Sequence, residues 1–157
     1  MSDDGDNMHH YSDDAIEIKY DPHRCIHAAK CIRGLPAVFD TNRRPWIAPF
    51  EASADEIARV IAKCPRGALH FRRGDGGPDE SPELPTTIIS TLSGPLYVRG
   101  LLQLRSADGR AVFEDFRMAL CRCGQSRNKP FCDNTHLYVG WDDPGVGAGP
   151  AGKQRDL

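Results

Sequence analysis

Six cysteines fall into two groups that divide a chain of 157 residues: Cys25, Cys31 and Cys64 in the first half, and Cys121, Cys123 and Cys132 in the second. Between the groups, residues 73–86 read Arg-Gly-Asp-Gly-Gly-Pro-Asp-Glu-Ser-Pro-Glu-Leu-Pro-Thr. A run of glycine, proline and acid predicts a flexible linker, not a packed element. Each half is then under eighty residues, a size that buries little apolar surface, so a staple has to supply part of the folding free energy. Disulfides and metal sites compete for six thiols. The N-terminal Met-Ser-Asp-Asp-Gly-Asp lacks the basic start and apolar run of a secretory leader. The expected compartment is therefore the reducing cytoplasm, where clustered cysteines act as metal ligands.

In the second group, Cys121, Cys123 and Cys132 are followed by His136, so three thiols and an imidazole sit in one short stretch. Three thiolates in a compact loop repel one another unless a cation neutralises them, and a neutral imidazole supplies a fourth ligand. Three cysteines and a histidine are a legitimate set for structural zinc, but zinc pairs are usually separated by two to four residues, whereas a single residue separates Cys121 from Cys123. Iron-sulfur clusters are held mainly by thiolates, with imidazole replacing thiolate in a minority of two-iron centres.

The pattern C-x-C-x2-S-x3-P-x-C-D-x-x-H, carried by Cys121, Cys123, Ser126, Pro130, Cys132, Asp133 and His136, is similar to that of the CDGSH-type, or NEET, iron-sulfur family. The resemblance implies one 2Fe-2S cluster, with Cys121 and Cys123 on an inner iron and Cys132 with His136 on an outer one. Where the family has glycine after Cys-Asp, this chain has Asn134, followed by Thr135. Asn is the non-glycine residue that best tolerates positive φ, so the loop geometry is expected to survive. Arg122, Arg127 and Lys129 are cationic neighbours, either solvated surface or charges that favour a reduced, more negative cluster.

The first group stands in Cys25-Ile-His27-Ala28-Ala-Lys-Cys31 and Cys64-Pro65. Bacterial ferredoxins carry C-x2-C-x2-C followed by C-P, one thiolate per corner of a cubane; here the middle position is Ala28. Residues 15–72 resemble divergent single-cluster ferredoxins, which implies a 3Fe-4S or 4Fe-4S cluster on Cys25, Cys31 and Cys64. With one corner vacant, either the fourth iron is absent or another group binds it. His27, one residue before the vacancy, is a candidate nitrogen ligand; His23 and His70 are weaker ones.

Residues 1–14 are polar and acidic and predict a disordered tail, with His9-His10 at most a weak metal site. Ile16-Glu-Ile18-Lys-Tyr20 alternates as a half-buried strand, and Lys30–Arg33 reads as a short helix ended by Gly34 and Pro36. A brief strand is expected near Trp46-Ile47. Ser53-Ala-Asp-Glu56 is a capping box opening a helix that ends at Cys64, and Ala68–Phe71 closes the module as a strand. The order is the β-α-β-α-β of an α+β, ferredoxin-like fold. After the linker, Thr87-Ile-Ile, Leu96–Leu104, Arg110–Phe113 and Phe116–Leu120 read as strands, with a hairpin turn at Ala107-Asp108-Gly109. Residues 87–141 thus form a small β-rich module, for which the CDGSH resemblance implies that paired chains exchange strands in a homodimer. Residues 142–157 are expected to be a flexible tail.

Net charge is −2, basic residues are dispersed, and no apolar run approaches membrane-spanning length, so nucleic acid and membrane are not the expected partners. Phosphate loops, dinucleotide fingerprints and nucleophile elbows are missing. The chain is expected not to be an enzyme but an electron carrier between its two clusters and a redox partner protein. The alternatives are cluster transfer to an apo-acceptor, storage or sensing, in which protons compete with iron for His136 and make the outer iron the labile edge, and a structural zinc protein.

Overall fold

The computed structural model describes residues 7–146. The chain separates into two compact units, dividing between Pro82 and Glu83. The fold is small, mostly strands with few helices, and contains two three-stranded sheets. No helix among the described residues is long and apolar enough to cross a membrane.

The first sheet is antiparallel throughout, in the order β1 (His9–Ser12), β2 (Ile16–Tyr20), β3 (Leu69–Arg73). Strand β1 corrects the expectation that the first fourteen residues are disordered; residues 1–6 of that tail lie outside the described residues. Its cause is turn chemistry that acidic composition conceals. The Asp13 carboxylate accepts the N–H groups of Ala15 and Ile16 at 2.8 and 2.9 Å, folding the chain back so that His9 pairs with Tyr20 and Ser12 with Glu17.

Helix α1 (Lys30–Gly34) carries Cys31, and helix α2 (Ala54–Ile61) ends just before Cys64. The Ser53–Glu56 capping box opens α2: Ser53 Oγ accepts the Glu56 N–H and the Glu56 carboxylate accepts the Ser53 N–H. The inner face of α2, Ile57, Val60 and Ile61, packs with Ile16, Ile18 and Phe39 into one core. In place of a strand at Trp46-Ile47 there is a single bridge between Phe39 and Ile47. The element order is thus β-β-α-α-β, not the expected β-α-β-α-β, because the turn at Asp13 adds a strand in front and the middle segment closes as a loop over the core.

The second sheet is a meander of β4 (Thr87–Ser90), β5 (Leu96–Arg105) and β6 (Ala111–Leu120). The two strands expected at 110–113 and 116–120 are one, since a register shift between Arg99 and Leu102 absorbs the irregularity on β5 and lets β6 run on. Gly109 takes φ 85° in the hairpin, the positive-φ position such a turn demands. The core is small: Val98, Leu102 and Met118, with Phe113 and Phe131 edge-on at 4.9 Å. The linker is pinned at both ends. Asp79 accepts the Arg73 N–H and Glu80 pairs with His70 at 2.6 Å, while Glu83 pairs with Arg99 at 2.8 Å. Its acids meet bases on the strands beside them, so 73–86 is not uniformly flexible.

Replacing Ser53 with Ala removes the cap that starts the Cys64-bearing helix. We expect a loss of about 1 kcal/mol in the N-terminal unit, read as a lower denaturation midpoint of its cluster absorbance, with the second unit's signal unaffected.

Candidate metal centres

Cys25, Cys31 and Cys64 meet at one recess of the N-terminal unit, walled also by Tyr20, Ala28, Trp46 and Pro65 and enclosing about 380 Å³ including its open mouth. The local chain explains the convergence. Asp21 N–H donates to Ala68 O at 2.8 Å, Cys25 N–H to Pro22 O, and the Arg24 guanidinium to Arg66 O at 2.6 Å, so the first cysteine loop is tied to the Cys64-Pro65-Arg66 turn. Ala29 adopts φ 57° as the N-cap of α1, which places Cys31 in its first turn. Tyr20 meets Trp46 edge-on at 4.9 Å and forms the apolar wall.

The electrostatics of this recess ask for a cation. Burial pushes the Cys31 thiol up, and the neighbouring Cys64 and Cys25 charges push it further. Tyr20 is raised by burial and then by the neighbouring Cys25. Three thiolates sharing a half-closed pocket are tolerated when metal takes up their charge. These residues fit an iron-sulfur cluster held by three thiolates.

His27 is exposed and does not line the recess; Ala28 does. His23 pairs with Asn7 and His70 with Glu80. The structure therefore brings the three cysteines together and none of the three histidines.

In the second unit, Cys121, Cys123, Cys132 and His136 line one smaller recess with Gly94, Arg122, Ser126, Asp133 and Thr135. Strand β6 ends at the first ligand. Leu120 bridges to Phe131, Cys121 N–H donates to Pro130 O and Cys132 N–H to Ala119 O, both at 2.8 Å, so both ends of the loop are locked to the strand. Asn134 has φ 68° and leads into the 3₁₀ turn Thr135–Leu137 that carries His136. Asn occupies the glycine position in the left-handed conformation that the sequence required.

Asp133 staples the loop. Its carboxylate accepts the Arg127 N–H at 2.9 Å and the Thr135 N–H at 3.0 Å. Burial opposes its charge, but hydrogen bonds from Thr135 and the Arg127 N–H prevail and hold it at about 2. Because the folded value lies below the ordinary carboxylate value of about 3.9, the stabilisation is complete above that value and is lost as pH falls through about 2. Burial also works against ionising Cys121, but N–H groups of Ser126 and Gly124 outweigh it and lower the thiol, favouring the thiolate that a metal needs.

The spacing tests the metal. Cys121 Sγ and Cys123 Sγ are 3.7 Å apart, and Cys132 Sγ and His136 Nδ1 are 3.6 Å apart. A tetrahedral ion with bonds of about 2.3 Å to sulfur and 2.0–2.1 Å to nitrogen separates its ligands by about 3.6–3.8 Å. Each pair is spaced for one ion, while among the described residues no three His, Cys, Asp or Glu side chains close on a single ion. The residues fit metal held through thiolates and an imidazole, each pair at ligand spacing.

Several contributors are not legible from the motif. Tyr20 and Trp46 wall the first recess. Tyr97 stands in register with Ala119, and burial and then the Cys132 charge raise its hydroxyl. Arg122 is not a free charge beside the metal: it pairs with Asp143 at 2.8 Å. Arg127 and Lys129 are exposed. Residues 142–146 of the expected flexible tail are bound to the unit through Asp142 and Asp143, and 147–157 lie outside the described residues.

Comparison with known proteins agrees with the geometry. Residues 11–74 match the family model described as a divergent 4Fe-4S mono-cluster, and residues 93–137 match that described as an iron-binding zinc finger of CDGSH type. Over 62 residues, the N-terminal region is 36% identical to the uncharacterized protein YjdI of Escherichia coli strain K12, and equally to that of Escherichia coli O157:H7; the match covers 40% of this chain and 82% of each relative.

Asp133→Asn leaves one loop N–H facing an amide donor instead of a carboxylate. We expect a penalty of about 1–3 kcal/mol, seen as a lower thermal bleaching midpoint of the second centre with the first unchanged; equal midpoints would remove Asp133 as the staple.

Proposed function

We propose, from the premise that this chain belongs to the divergent 4Fe-4S mono-cluster family through its N-terminal unit and carries a CDGSH-type domain in its second, that it is an iron-sulfur electron carrier. In this reading it exchanges electrons between its two modules and a partner protein, and any catalysis resides in that partner. Cys25, Cys31 and Cys64 hold a 3Fe-4S or 4Fe-4S cluster of ferredoxin type. Cys121 and Cys123 hold the inner iron, and Cys132 and His136 the outer iron, of a 2Fe-2S cluster. When bound, the clusters supply one-electron redox chemistry.

The observation that carries this reading is the pair of separate thiol recesses, each opening at the surface. The chain's own residues act as holders and insulators. Tyr20 and Trp46 screen the first cluster from water on one side, and a low local dielectric strengthens every interaction with its thiolates. Six free thiols suit a reducing cytoplasm. Exposed Ile88, Leu101 and Val112 on the small second sheet support pairing with a second copy.

A second reading, transfer of the 2Fe-2S cluster to an apo-acceptor, is favoured by one feature: His136 is followed directly by exposed Leu137 and by Tyr138, 85% exposed, so the imidazole edge of the site lies at the surface. The two readings separate under anaerobic conditions. A carrier cycles between oxidised and reduced forms without losing its colour, whereas a donor loses its 2Fe-2S spectrum to an added apo-ferredoxin.

His136→Cys is expected to retain a 2Fe-2S centre at a lower potential, since imidazole makes the cluster less negative: all-thiolate plant-type centres lie near roughly −400 mV and imidazole-bearing Rieske centres from about −150 mV upward. An unchanged potential would remove His136 as a ligand. At the other site, Ala28→Cys restores the ferredoxin spacing. We expect the oxidised wild type to show the paramagnetic signal of a 3Fe-4S centre and the variant to lose it on conversion to 4Fe-4S; a wild type that is silent when oxidised, with four irons on this unit, would mean that a fourth ligand exists.

A further inference from the structure

Arg122 lies between the two inner thiols, and its guanidinium turns away from solvent, with the side chain only 17% exposed. Its donors are spent on two other segments. Nε donates to Gly94 O at 2.9 Å, Nη2 to Thr91 O at 2.8 Å and Nη1 to Asp143 Oδ1 at 2.8 Å, while the guanidinium carbon stands 4.8 Å from the centroid of the Trp141 ring. The planar fork of arginine can satisfy three acceptors and a ring face at once; an ammonium cannot.

The partners are themselves joined. Ser93 N–H donates to Asp143 O at 2.7 Å, Ser93 Oγ to Asp142 Oδ1 at 2.6 Å, and Asp143 N–H to Ser93 Oγ at 3.1 Å. The Asp143 carboxylate also accepts the Gly145 N–H at 2.8 Å. Gly145 has φ 68°, and a Cβ there would collide with the Thr91 backbone, so the strap passes over the 91–94 loop at a distance only glycine allows. Gly94 also lines the recess.

We propose that Arg122 is a positioning residue that latches the Cys121–Cys123 segment to the strap formed by residues 141–145, so that the rate at which the second site gives up its iron is set by the Arg122–Asp143 pair. This rests on the reading of Cys121 and Cys123 as ligands. Opening the latch frees the backbone between the two thiols and with it the spacing that holds one ion; the strap is thus a control point for cluster retention, separate from the imidazole edge.

The test compares full-length, anaerobically loaded wild type with Arg122→Lys, Asp143→Asn and the double variant, following loss of the 2Fe-2S absorbance to an excess of iron chelator. Each single variant loses a charge-assisted or forked hydrogen bond and should release iron about tenfold faster. The double variant should be no faster than the quicker single, because both remove one coupling. Asp143→Asn retains an oxygen acceptor and changes the strap alone, so it remains informative if Arg122→Lys folds poorly. The N-terminal cluster on the same chain is the internal control, and its loss rate should not move. Wild-type release rates in both singles, additive effects in the double, or equal acceleration at the N-terminal cluster would overturn the latch. Cys123→Ser separates the premise: if that variant retains a wild-type 2Fe-2S spectrum, the ligand reading has failed; if it loses the spectrum while the latch variants release normally, the latch alone has failed.

Discussion

Thiolate repulsion organises this molecule. Cys25, Cys31 and Cys64 share one recess in which burial and mutual charge raise the cost of ionisation, and Cys121, Cys123 and Cys132 share another. The first arrangement opposes bare thiolates, the second favours the Cys121 thiolate through nearby N–H groups, and in both a cationic centre takes up the charge that clustered thiolates carry. The rest of each unit is arranged to bring those sulfurs together: the capped α2 helix before Cys64, the left-handed Ala29 before Cys31, and the end of β6 locked across Leu120 and Phe131 at the second site.

The two units solve the same problem with different resources. The first has a true core in which α2 packs over a three-stranded sheet, so its cluster site is a recess in the wall of an already packed unit. The second has a smaller core, clustered on Val98, Leu102 and Met118, and relies on polar staples: Asp133 within the ligand loop, and Arg122 reaching out of it to Asp143. A domain with so little buried apolar surface depends more heavily on bound metal, and its ligand loop is correspondingly easier to open.

What was legible in the sequence was local. The Ser53–Glu56 box, the short helix ended by Gly34, the alternation of Ile16–Tyr20 and the substitution of Asn134 for a positive-φ glycine all depend on neighbours within a few residues. The convergence of three thiols at each end was readable from spacing and resemblance to known families. What was missed needed either turn chemistry hidden in composition or partners distant along the chain. Asp13 makes an acidic tail into a hairpin, the linker acids Glu80 and Glu83 find His70 on β3 and Arg99 on β5, and Arg122 is claimed by Thr91, Gly94 and Asp143, none of which a motif marks. His27 shows the opposite limit: adjacency in sequence to the vacant Ala28 position does not bring its ring to the recess, because the backbone between Cys25 and Cys31 reverses at φ 55° and 57° on His27 and Ala29.

The most direct test of two independent iron-sulfur sites is electron paramagnetic resonance of the full chain, purified anaerobically and recorded both oxidised and dithionite-reduced, together with its Cys64→Ser and Cys121→Ser variants and with iron, zinc and acid-labile sulfide assayed on the same samples. The account predicts iron and labile sulfide without zinc in the wild type, loss of the ferredoxin-type cluster alone in Cys64→Ser, and loss of the 2Fe-2S signal alone in Cys121→Ser. Zinc without labile sulfide, or loss of both centres on removing either thiol, would contradict it.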